Sequence, residues 1–322
     1  MAKSEQLIAD YVAAGFRKIH LDCSMSCAGD PAPLTDTVVA ARAARLCAIA
    51  EQTWRQVGGE PPVYVVGTEV PVPGGAREAL ADLTLTEGAA AAATIDAHRT
   101  AFQTAGLEDC WSRVIGLVVQ PGVEFDQHKV IDFRPERAAE LASAIEAQPH
   151  MVYEAHSTDY QTPANLRALV RRHFAILKVG PALTFAMREA LWALDHIERE
   201  WLGSHRSSRV RETILAAMSA APGHWKKYYA SDGQQLEVDW QYSLSDRIRY
   251  YWSVPAVESA LQRLLANLDA NPPPLTLLSQ YLPRQHEAIR AGRLRLNARE
   301  IVLYHVDLVL QQYSSACAPD GG

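Results

Sequence analysis

The chain has 322 residues, of which 48% are hydrophobic and 21% charged, and its formal net charge is −6. This composition is typical of a globular protein, and the length suits one large α/β domain or a domain with a helical appendage. The acidic balance and the lack of a long basic run argue against nucleic-acid binding.

The N-terminal apolar stretch, Leu7 to Phe16, is interrupted by Asp10. It is too short to cross a bilayer and does not resemble a signal peptide, and no other stretch comes closer to a membrane span. The chain has five cysteines, too few for a disulfide framework at this length, so buried thiols are favoured over a metal or redox role. We therefore expect a cytoplasmic protein that does not interact with a membrane.

Short stretches rich in Val, Ile and Leu recur along the first part of the chain, and each is followed by an amphipathic stretch. The predicted strands are Lys18–Cys23, Val63–Glu69, Arg113–Val119, Met151–Ala155 and Phe174–Val179. The predicted helices are Thr35–Val57, Thr86–Gly106, Pro135–Ala147, Thr162–Arg172 and Ala182–Trp201. This alternation predicts right-handed βαβ units and a parallel sheet.

From about Ser207 the pattern changes, and no further strand is expected. The predicted helices there are Val210–Ala220, Ser243–Trp252, Val254–Leu268 and Ala298–Tyr313. We therefore expect residues 1–206 to form the strand–helix part and residues 207–322 to form a helical C-terminal extension packed on it.

Nucleotide-binding motifs are missing from the sequence. Gly74-Gly75 follows a proline-rich loop and lacks the third glycine of a dinucleotide fingerprint. There is no phosphate-binding loop of the P-loop type, no protein-kinase motif and no nucleophile elbow. These absences argue against a dehydrogenase, a kinase or an α/β-hydrolase, and we expect no nucleotide cofactor.

A polar side chain occurs at the end of each predicted strand. Because alternate residues of a strand point to the same face, each polar residue shares a face with residues two and four positions earlier. The residues that share a face in this way are His20 with Asp22; Val65, Gly67 and Glu69; Val118 with Gln120; Val152, Glu154 and His156; and Ile176, Lys178 and Gly180. A single strand with a polar end would be explained by a polar group that finds its partner in the core. Five in succession favour the C-terminal mouth of a (β/α)8 barrel, where inward side chains build a site.

The residue types at this predicted mouth indicate several kinds of chemistry. His20, Glu69, Glu154 and His156 have the nitrogen and oxygen atoms that bind a divalent metal ion such as zinc. The carboxylates of Asp22, Glu69 and Glu154 are candidates for catalytic proton transfer.

Lys178 has three interpretations. It is a candidate Schiff-base lysine or an electrostatic clamp for a substrate. Alternatively, it belongs to an internal salt-bridge network with Glu154 and Asp22.

The turn after the fifth strand is a candidate phosphate site. A helix begins near Pro181, so the amides of Gly180 and Ala182 lie at a helix N-terminus, which favours anions. Ser157 and Thr158 in the neighbouring loop offer hydroxyl groups. The alternative is an ordinary turn with a helix cap.

Basic and aromatic residues alternate in Trp225–Tyr229 and in Asp246–Trp252. Such clusters stack on nucleic acid in some proteins. Because the chain is acidic overall, we favour internal packing or a subunit interface, including a homo-oligomer.

Several blocks resemble the GatZ/KbaZ-type family, the accessory, non-catalytic subunit of class II tagatose-1,6-bisphosphate aldolase, labelled tagatose-6-phosphate kinase in older usage. The resemblance extends over nearly the whole chain. The blocks that resemble it are His20–Pro31, Gly67–Gly75, Gln120–Asp126, Tyr153–Thr162, Leu177–Ala186, Trp225–Tyr229 and Ser243–Trp252.

The resemblance implies a TIM barrel with a helical C-terminal extension and a role in the catabolism of tagatose phosphates from galactitol or N-acetylgalactosamine. The ligand it implies is a phosphorylated ketohexose, and the partner is a class II aldolase catalytic subunit. Relative to the family, the first three strand–helix units are expected to be lacking, and five strands cannot close an eight-stranded barrel. The expected explanations are a fragment, a misplaced start, or completion of the barrel by a partner or by oligomerisation.

Two functions are compatible with this resemblance. The first is an accessory subunit that stabilises the aldolase. The alternative is a metal-assisted tagatose-6-phosphate 4-epimerase that uses retro-aldol chemistry. In that case, His156 and Glu69 would hold the metal, Asp22 or Glu154 would move the proton of the C4 hydroxyl, and the amides after Gly180 would bind the phosphate. A kinase is not expected.

Overall fold

The computed structural model describes residues 1–31, 33–68, 75–76 and 83–318. Its strands are β1 Lys18–His20, β2 Val63–Val66, β3 Val114–Val119, β4 Glu124–Phe125, β5 Val130–Ile131, β6 Val152–Ala155 and β7 Ile176–Leu177. Its α-helices are α1 Ala2–Ala13, α2 Asp36–Val57, α3 Gly88–Thr104, α4 Ala139–Ala144, α5 Pro163–Arg171, α6 Pro181–Leu202, α7 Val210–Ala220, α8 Gly233–Tyr242, α9 Pro255–Ala270, α10 Leu275–Tyr281, α11 Pro283–Arg290 and α12 Ala298–Cys317. Short 3-10 helices cover Glu108–Arg113, Ile145–Ala147, Pro222–His224 and Arg247–Tyr251.

The main sheet has five strands in the order β1-β2-β3-β6-β7, and every neighbouring pair is parallel. The predicted parallel sheet is therefore confirmed, although each strand is shorter than its hydrophobic stretch. Between β3 and β6, the strands β4 and β5 form an antiparallel hairpin that the sequence pattern did not reveal. Its two-residue strands are too short to give a period-two signal.

The sheet curls strongly around its concave face. Lys18 on β1 reaches Glu154 on β6 with a distance of 2.7 Å between Nζ and Oε2, although β2 and β3 lie between these strands. In a flat sheet, three strand spacings would separate the backbones by about 14 Å. The strands therefore form an open half-barrel in which side chains from separated strands meet.

Two glycines allow the closest approaches on the concave face. A Cβ atom at Gly67 would lie 2.7 Å from Cβ of Val118, and one at Gly116 would lie 3.1 Å from Cδ1 of Ile176. Any larger residue would force these strands apart or displace their side chains.

Two hydrophobic clusters make up the core. The first lies between the sheet and helices α1 to α5, and fully buried Tyr153 and Phe174 stack within it. The second begins in the later part of α6 and includes side chains of α7, α9 and α12. Near its end, α12 also contributes Ala316 to the first cluster, so this helix contacts both.

Two of the described α-helices, α5 and α12, have a side-chain cap at the N-terminus. The Thr162 side chain caps α5 by accepting a hydrogen bond from the Asn165 amide at 3.2 Å, and Pro163 occupies the first turn. Asn297 caps α12 in the same way through the Glu300 amide at 3.0 Å.

One predicted helix is wrong. The stretch Ser243–Trp252 contains only the 3-10 helix Arg247–Tyr251, because buried Asp246 has a φ of 46° in the left-handed region, which interrupts an α-helix. Helices α1, α8, α10 and α11 were not predicted.

Among the residues that the structure describes, no helix is both long and apolar enough to traverse a bilayer.

Candidate functional site

The Glu154 carboxylate lies at the centre of a polar cluster on the concave face, and its side chain is 0% exposed. Oε2 accepts a hydrogen bond from Nζ of Lys18 at 2.7 Å, while Oε1 lies 2.9 Å from Nε2 of His156. Nζ of Lys178 and Nδ1 of His20 each lie 3.4 Å from Oε1. We call Lys18, His20, Glu154, His156 and Lys178 the Glu154 cluster.

Strand periodicity and curvature together build this cluster. Lys18 and His20 are two residues apart on β1, and Glu154 and His156 are two apart at the end of β6, so each pair faces one side. Because the sheet curls, that side is the same concave space for both pairs. The two imidazole rings meet edge to face with centroids 5.7 Å apart.

The cluster shifts the ionisation of two of its members. Burial alone would raise the pKa of Glu154, but hydrogen bonds from His156 and Lys18 and the nearby positive charges lower this pKa to about 2. Burial lowers the pKa of His20 to about 4, against the opposing effect of Glu154. At neutral pH, Glu154 is therefore ionised and His20 is neutral, which are the states in which both bind metals.

The donor set fits a divalent metal ion. His20, Glu154 and His156 each offer one ligand atom, and these three atoms lie within 4.8 Å of one another. Nε2 of His20 is buried and has no hydrogen-bond partner among the residues with described positions. Two imidazoles with one carboxylate are a common ligand set for catalytic zinc.

The structure brings some predicted site residues together and leaves others apart. His20, Glu154, His156 and Lys178 meet as predicted, and Lys178 pairs with Glu154 as in the predicted salt-bridge network. Asp22 is exposed and accepts hydrogen bonds from the Ser24 amide at 3.1 Å and the Ser24 hydroxyl at 2.7 Å, so it is not part of that network.

Glu69, predicted as both a metal ligand and a catalytic carboxylate, lies outside the described residues. Lys18 was missed. Its period-two relation to His20 was the available signal, but it stands at the beginning of its strand, where a side chain is not expected to reach the mouth.

The candidate phosphate site is occupied by a carboxylate of the chain itself. The amides of Gly180 and Ala182 donate hydrogen bonds to Oδ1 of Asp159 at 2.9 and 2.8 Å. The hydroxyl of buried Thr158 donates to the Lys178 carbonyl at 2.7 Å, and the Ser157 side chain is hydrogen-bonded to Glu124. The beginning of α6 therefore has the geometry of a capped turn.

The aromatic and basic residues of the C-terminal part stack on one another. The Arg247 guanidinium lies 3.7 Å from the ring centroid of Tyr228 and 4.6 Å from that of Tyr250, and its Nε donates to the His224 carbonyl at 2.7 Å. Since Arg247 is buried, it contributes to internal packing. The preceding stretch contacts the mouth, where the Tyr160 hydroxyl donates to the Leu244 carbonyl at 2.6 Å.

Comparison with solved structures gives one strong similarity. The crystal structure of a probable tagatose 6 phosphate kinase from Sinorhizobium meliloti 1021 has 44% sequence identity and a TM-score of 0.88, over 98% of this chain and 77% of that chain. A structure of fructuronate-tagaturonate epimerase UxaE from Cohnella laeviribosi with one glycerol has 12% identity and a TM-score of 0.46, over 96% of this chain and 66% of that chain. So low a TM-score supports no further statement about this chain.

The family comparison covers nearly the whole sequence. Residues 1–318 match the family described as D-tagatose-1,6-bisphosphate aldolase subunit GatZ/KbaZ-like. The match includes every strand of the curled sheet, the Glu154 cluster and helices α1 to α12. The chain therefore belongs to the GatZ/KbaZ-like family of D-tagatose-1,6-bisphosphate aldolase subunits.

Proposed function

We propose that this chain acts as an accessory subunit that stabilises a class II tagatose-1,6-bisphosphate aldolase in tagatose-phosphate catabolism. The observation that carries the proposal is the family match over residues 1–318. It is supported by 44% sequence identity to the crystal structure of a probable tagatose 6 phosphate kinase. The proposed partner is the aldolase catalytic subunit, and the proposed sugar is a phosphorylated ketohexose.

Co-expression of the full chain with a class II tagatose-bisphosphate aldolase catalytic subunit tests this role. We expect the two chains to co-purify, and the half-life of aldolase activity at raised temperature to lengthen severalfold relative to the catalytic subunit alone. An equal mass of an unrelated protein is the control. If the half-life is unchanged and the chains elute separately, the accessory role is wrong.

The Glu154 cluster favours a second candidate, a metal-assisted tagatose-6-phosphate 4-epimerase. His20, Glu154 and His156 would hold a divalent ion such as zinc, with Glu69 as a further ligand or base. The ion would supply Lewis-acid polarisation of substrate oxygens. Because the pKa of Glu154 is about 2, this carboxylate suits the role of ligand better than that of proton carrier.

In the epimerase mechanism, residues of the chain move the proton and stabilise the negative charge. Exposed Asp22 takes the proton of the C4 hydroxyl as the C3–C4 bond breaks and returns it after the aldehyde rotates and re-adds. Nζ of Lys178, with a side chain 41% exposed, stabilises negative charge on the substrate oxygen. The net result is inversion at C4.

Incubation of the chain with tagatose 6-phosphate and added zinc tests the epimerase candidate. Formation of fructose 6-phosphate that is abolished by His156→Ala supports it. Absence of the product with each of zinc, manganese and cobalt eliminates it. Measurement of bound metal by mass spectrometry separates failure to bind the ion from failure of the chemistry.

We also propose that residues 1–206 are part of a (β/α)8 barrel and that residues 207–322 form a helical extension. The curled parallel order of the five strands supports this assignment. Strands β1 and β7 are the edges of the described sheet, and a homo-oligomer that pairs at one of these edges is part of the proposal.

Two further proposals concern the ligand and the compartment. Ser157, Thr158, Gly180 and Ala182 would contact a phosphate only if Asp159 leaves the two amides, and an Asp159→Asn variant with tighter phosphate binding would support that exchange. A cytoplasmic location is supported by the free thiols of all five cysteines.

A further inference from the structure

A cavity of about 370 Å³ opens beside the carboxyl end of β3, separate from the Glu154 cluster, none of whose residues lines it. Its apolar wall includes Leu85, Val130 and Ile131, from the loop before α3 and from β5. Its polar residues are Asp132, Arg134 and Arg137, which follow β5 in the chain. A ligand with one anionic end and a carbon-rich body suits such walls.

The two arginines stand on one turn. The Arg137 amide donates to the Arg134 carbonyl at 3.0 Å, so the side chains leave the same turn three residues apart. Both side chains are exposed, and neither has a hydrogen-bond or ion-pair partner within the described ranges. Two guanidinium groups at one cavity are a strong arrangement for a phosphoryl group, because each can donate two parallel hydrogen bonds to its oxygens.

The part of the lining that follows β3 is preformed. Oε1 of Gln120 accepts hydrogen bonds from the amides of Gly122 at 2.8 Å and Val123 at 3.1 Å, which fixes the loop after β3. Gly122 has a φ of 93°, and a Cβ there would lie 3.2 Å from Leu85. Only glycine is free of strain in this backbone conformation, and it leaves room for the leucine.

Among the described residues that line the cavity, Asp132 is the only acid, and it has a hydrogen-bond partner of its own. Oδ1 of Asp132 accepts a hydrogen bond from Nδ2 of Asn165 at 3.0 Å. With one carboxylate against two guanidinium groups, the described part of the lining carries a net positive charge, which favours an anion over a cation.

We propose that this cavity binds a phosphate monoester, with Arg134 and Arg137 holding the phosphoryl oxygens and the apolar wall packing against the carbon body. The volume is within the range of small-molecule sites. The site needs neither a metal nor the Glu154 cluster, so it stands independently of the proposed function. The same chemistry would accept inorganic phosphate, a sugar phosphate or a regulatory phosphorylated metabolite.

Calorimetric titration of the metal-free full chain at low ionic strength tests the proposal, with inorganic phosphate, tagatose 6-phosphate and unphosphorylated tagatose as probes. The variant is Arg134→Gln with Arg137→Gln. The matched control is Arg290→Gln with Arg293→Gln, because those arginines are also exposed, lie three residues apart, and have no side-chain partner among the described residues. Circular dichroism confirms that both variants are folded.

We expect both phosphorylated probes to bind, tagatose not to bind, and the Arg134/Arg137 variant to lose at least tenfold in affinity while the control retains it. Tighter binding of the sugar phosphate than of inorganic phosphate identifies a ligand with a carbon body; equal affinities identify the phosphoryl group alone as the ligand.

Three results overturn the proposal. The first is that the wild-type chain binds neither phosphorylated probe. The second is that the Arg134/Arg137 variant binds them as the control does. The third is that Lys178→Met abolishes binding while the Arg134/Arg137 variant retains it, which would place the phosphate at the Glu154 cluster. Metal binding to the Glu154 cluster is measured separately, so failure of one site is distinguishable from failure of the other.

Discussion

Glu154 is a buried carboxylate whose oxygens are shared among two ammonium groups and two imidazoles. Taking an ion out of water is costly, and the surrounding positive partners offset that cost. Lys18 and Lys178 have side chains 37% and 41% exposed, so their charged ends keep part of their hydration. The carboxylate is therefore the member of the cluster that depends most on its partners.

Neutralising Glu154 tests this dependence. We expect Glu154→Gln to lower the free energy of unfolding by about 2 kcal/mol, because the lysines lose their counter-ion in a buried setting. Urea denaturation measures the change. Glu287→Gln, at an exposed helix position where no side-chain partner is found among the described residues, is expected to change the free energy by less than about 0.5 kcal/mol.

Acid should destabilise the chain in two overlapping steps. Folding lowers the pKa of His20 from 6.5 to about 4, so its contribution is complete above pH 6.5 and is lost as the pH falls toward 4. Folding also lowers the pKa of Glu154 from 4.5 to about 2, and its contribution is lost between those values.

Unfolding free energies measured from pH 7.5 to pH 4 check the first of these steps. We expect His20→Gln to flatten the decline between pH 6.5 and pH 4 relative to the wild-type chain. A decline of equal slope in both proteins would assign the acid sensitivity to other groups.

At the scale of secondary-structure elements, Gly67 lets the chain after β2 pass very close to Val118 of β3. Because a Cβ there would lie 2.7 Å from Val118, we expect Gly67→Ala to destabilise the chain by about 2 kcal/mol. Gly223→Ala is the control, because a Cβ at that exposed glycine meets nothing within 4 Å. Thermal denaturation of both variants measures the difference, and equal midpoints would show that the sheet adjusts without cost.

Strand periodicity predicted a large part of the site, because the side of a strand on which a residue lies follows from its position alone. His20, Glu154 and His156 were grouped on this basis, and they meet in the structure. Lys18 was not, since its contact with Glu154 depends on how far the sheet curls, which is decided by pairing across several strands. The helix predicted around Asp246 was wrong for a related reason, because a buried residue with positive φ interrupts a locally helical pattern.

At the scale of the whole molecule, α12 joins the two hydrophobic clusters. Ile301 and Val302 belong to the second cluster and Ala316 to the first. The Tyr313 hydroxyl donates to the Thr158 carbonyl at 2.8 Å, which connects this helix to the loop after β6. The two clusters are therefore expected to unfold together.

Removing the Tyr313 hydroxyl tests this link. We expect Tyr313→Phe to lower the free energy of unfolding by about 1 kcal/mol while fluorescence and far-ultraviolet circular dichroism keep one common transition. Tyr304→Phe on the same helix is the control, because no hydrogen bond of its hydroxyl is found among the described residues. Two separate transitions in the wild-type chain would contradict the expected cooperativity.

The contact between Lys18 and Glu154 has a consequence for electrostatics at the mouth. As long as the carboxylate is shared with Lys18 and Lys178, much of their charge is balanced inside the half-barrel. A divalent ion that took Glu154 as a ligand would release both ammonium groups from that balance and add its own two charges. Occupation of the cluster would thus make a group of side chains that already has one excess positive charge more strongly cationic, and the affinity of the mouth for anions would rise with metal loading.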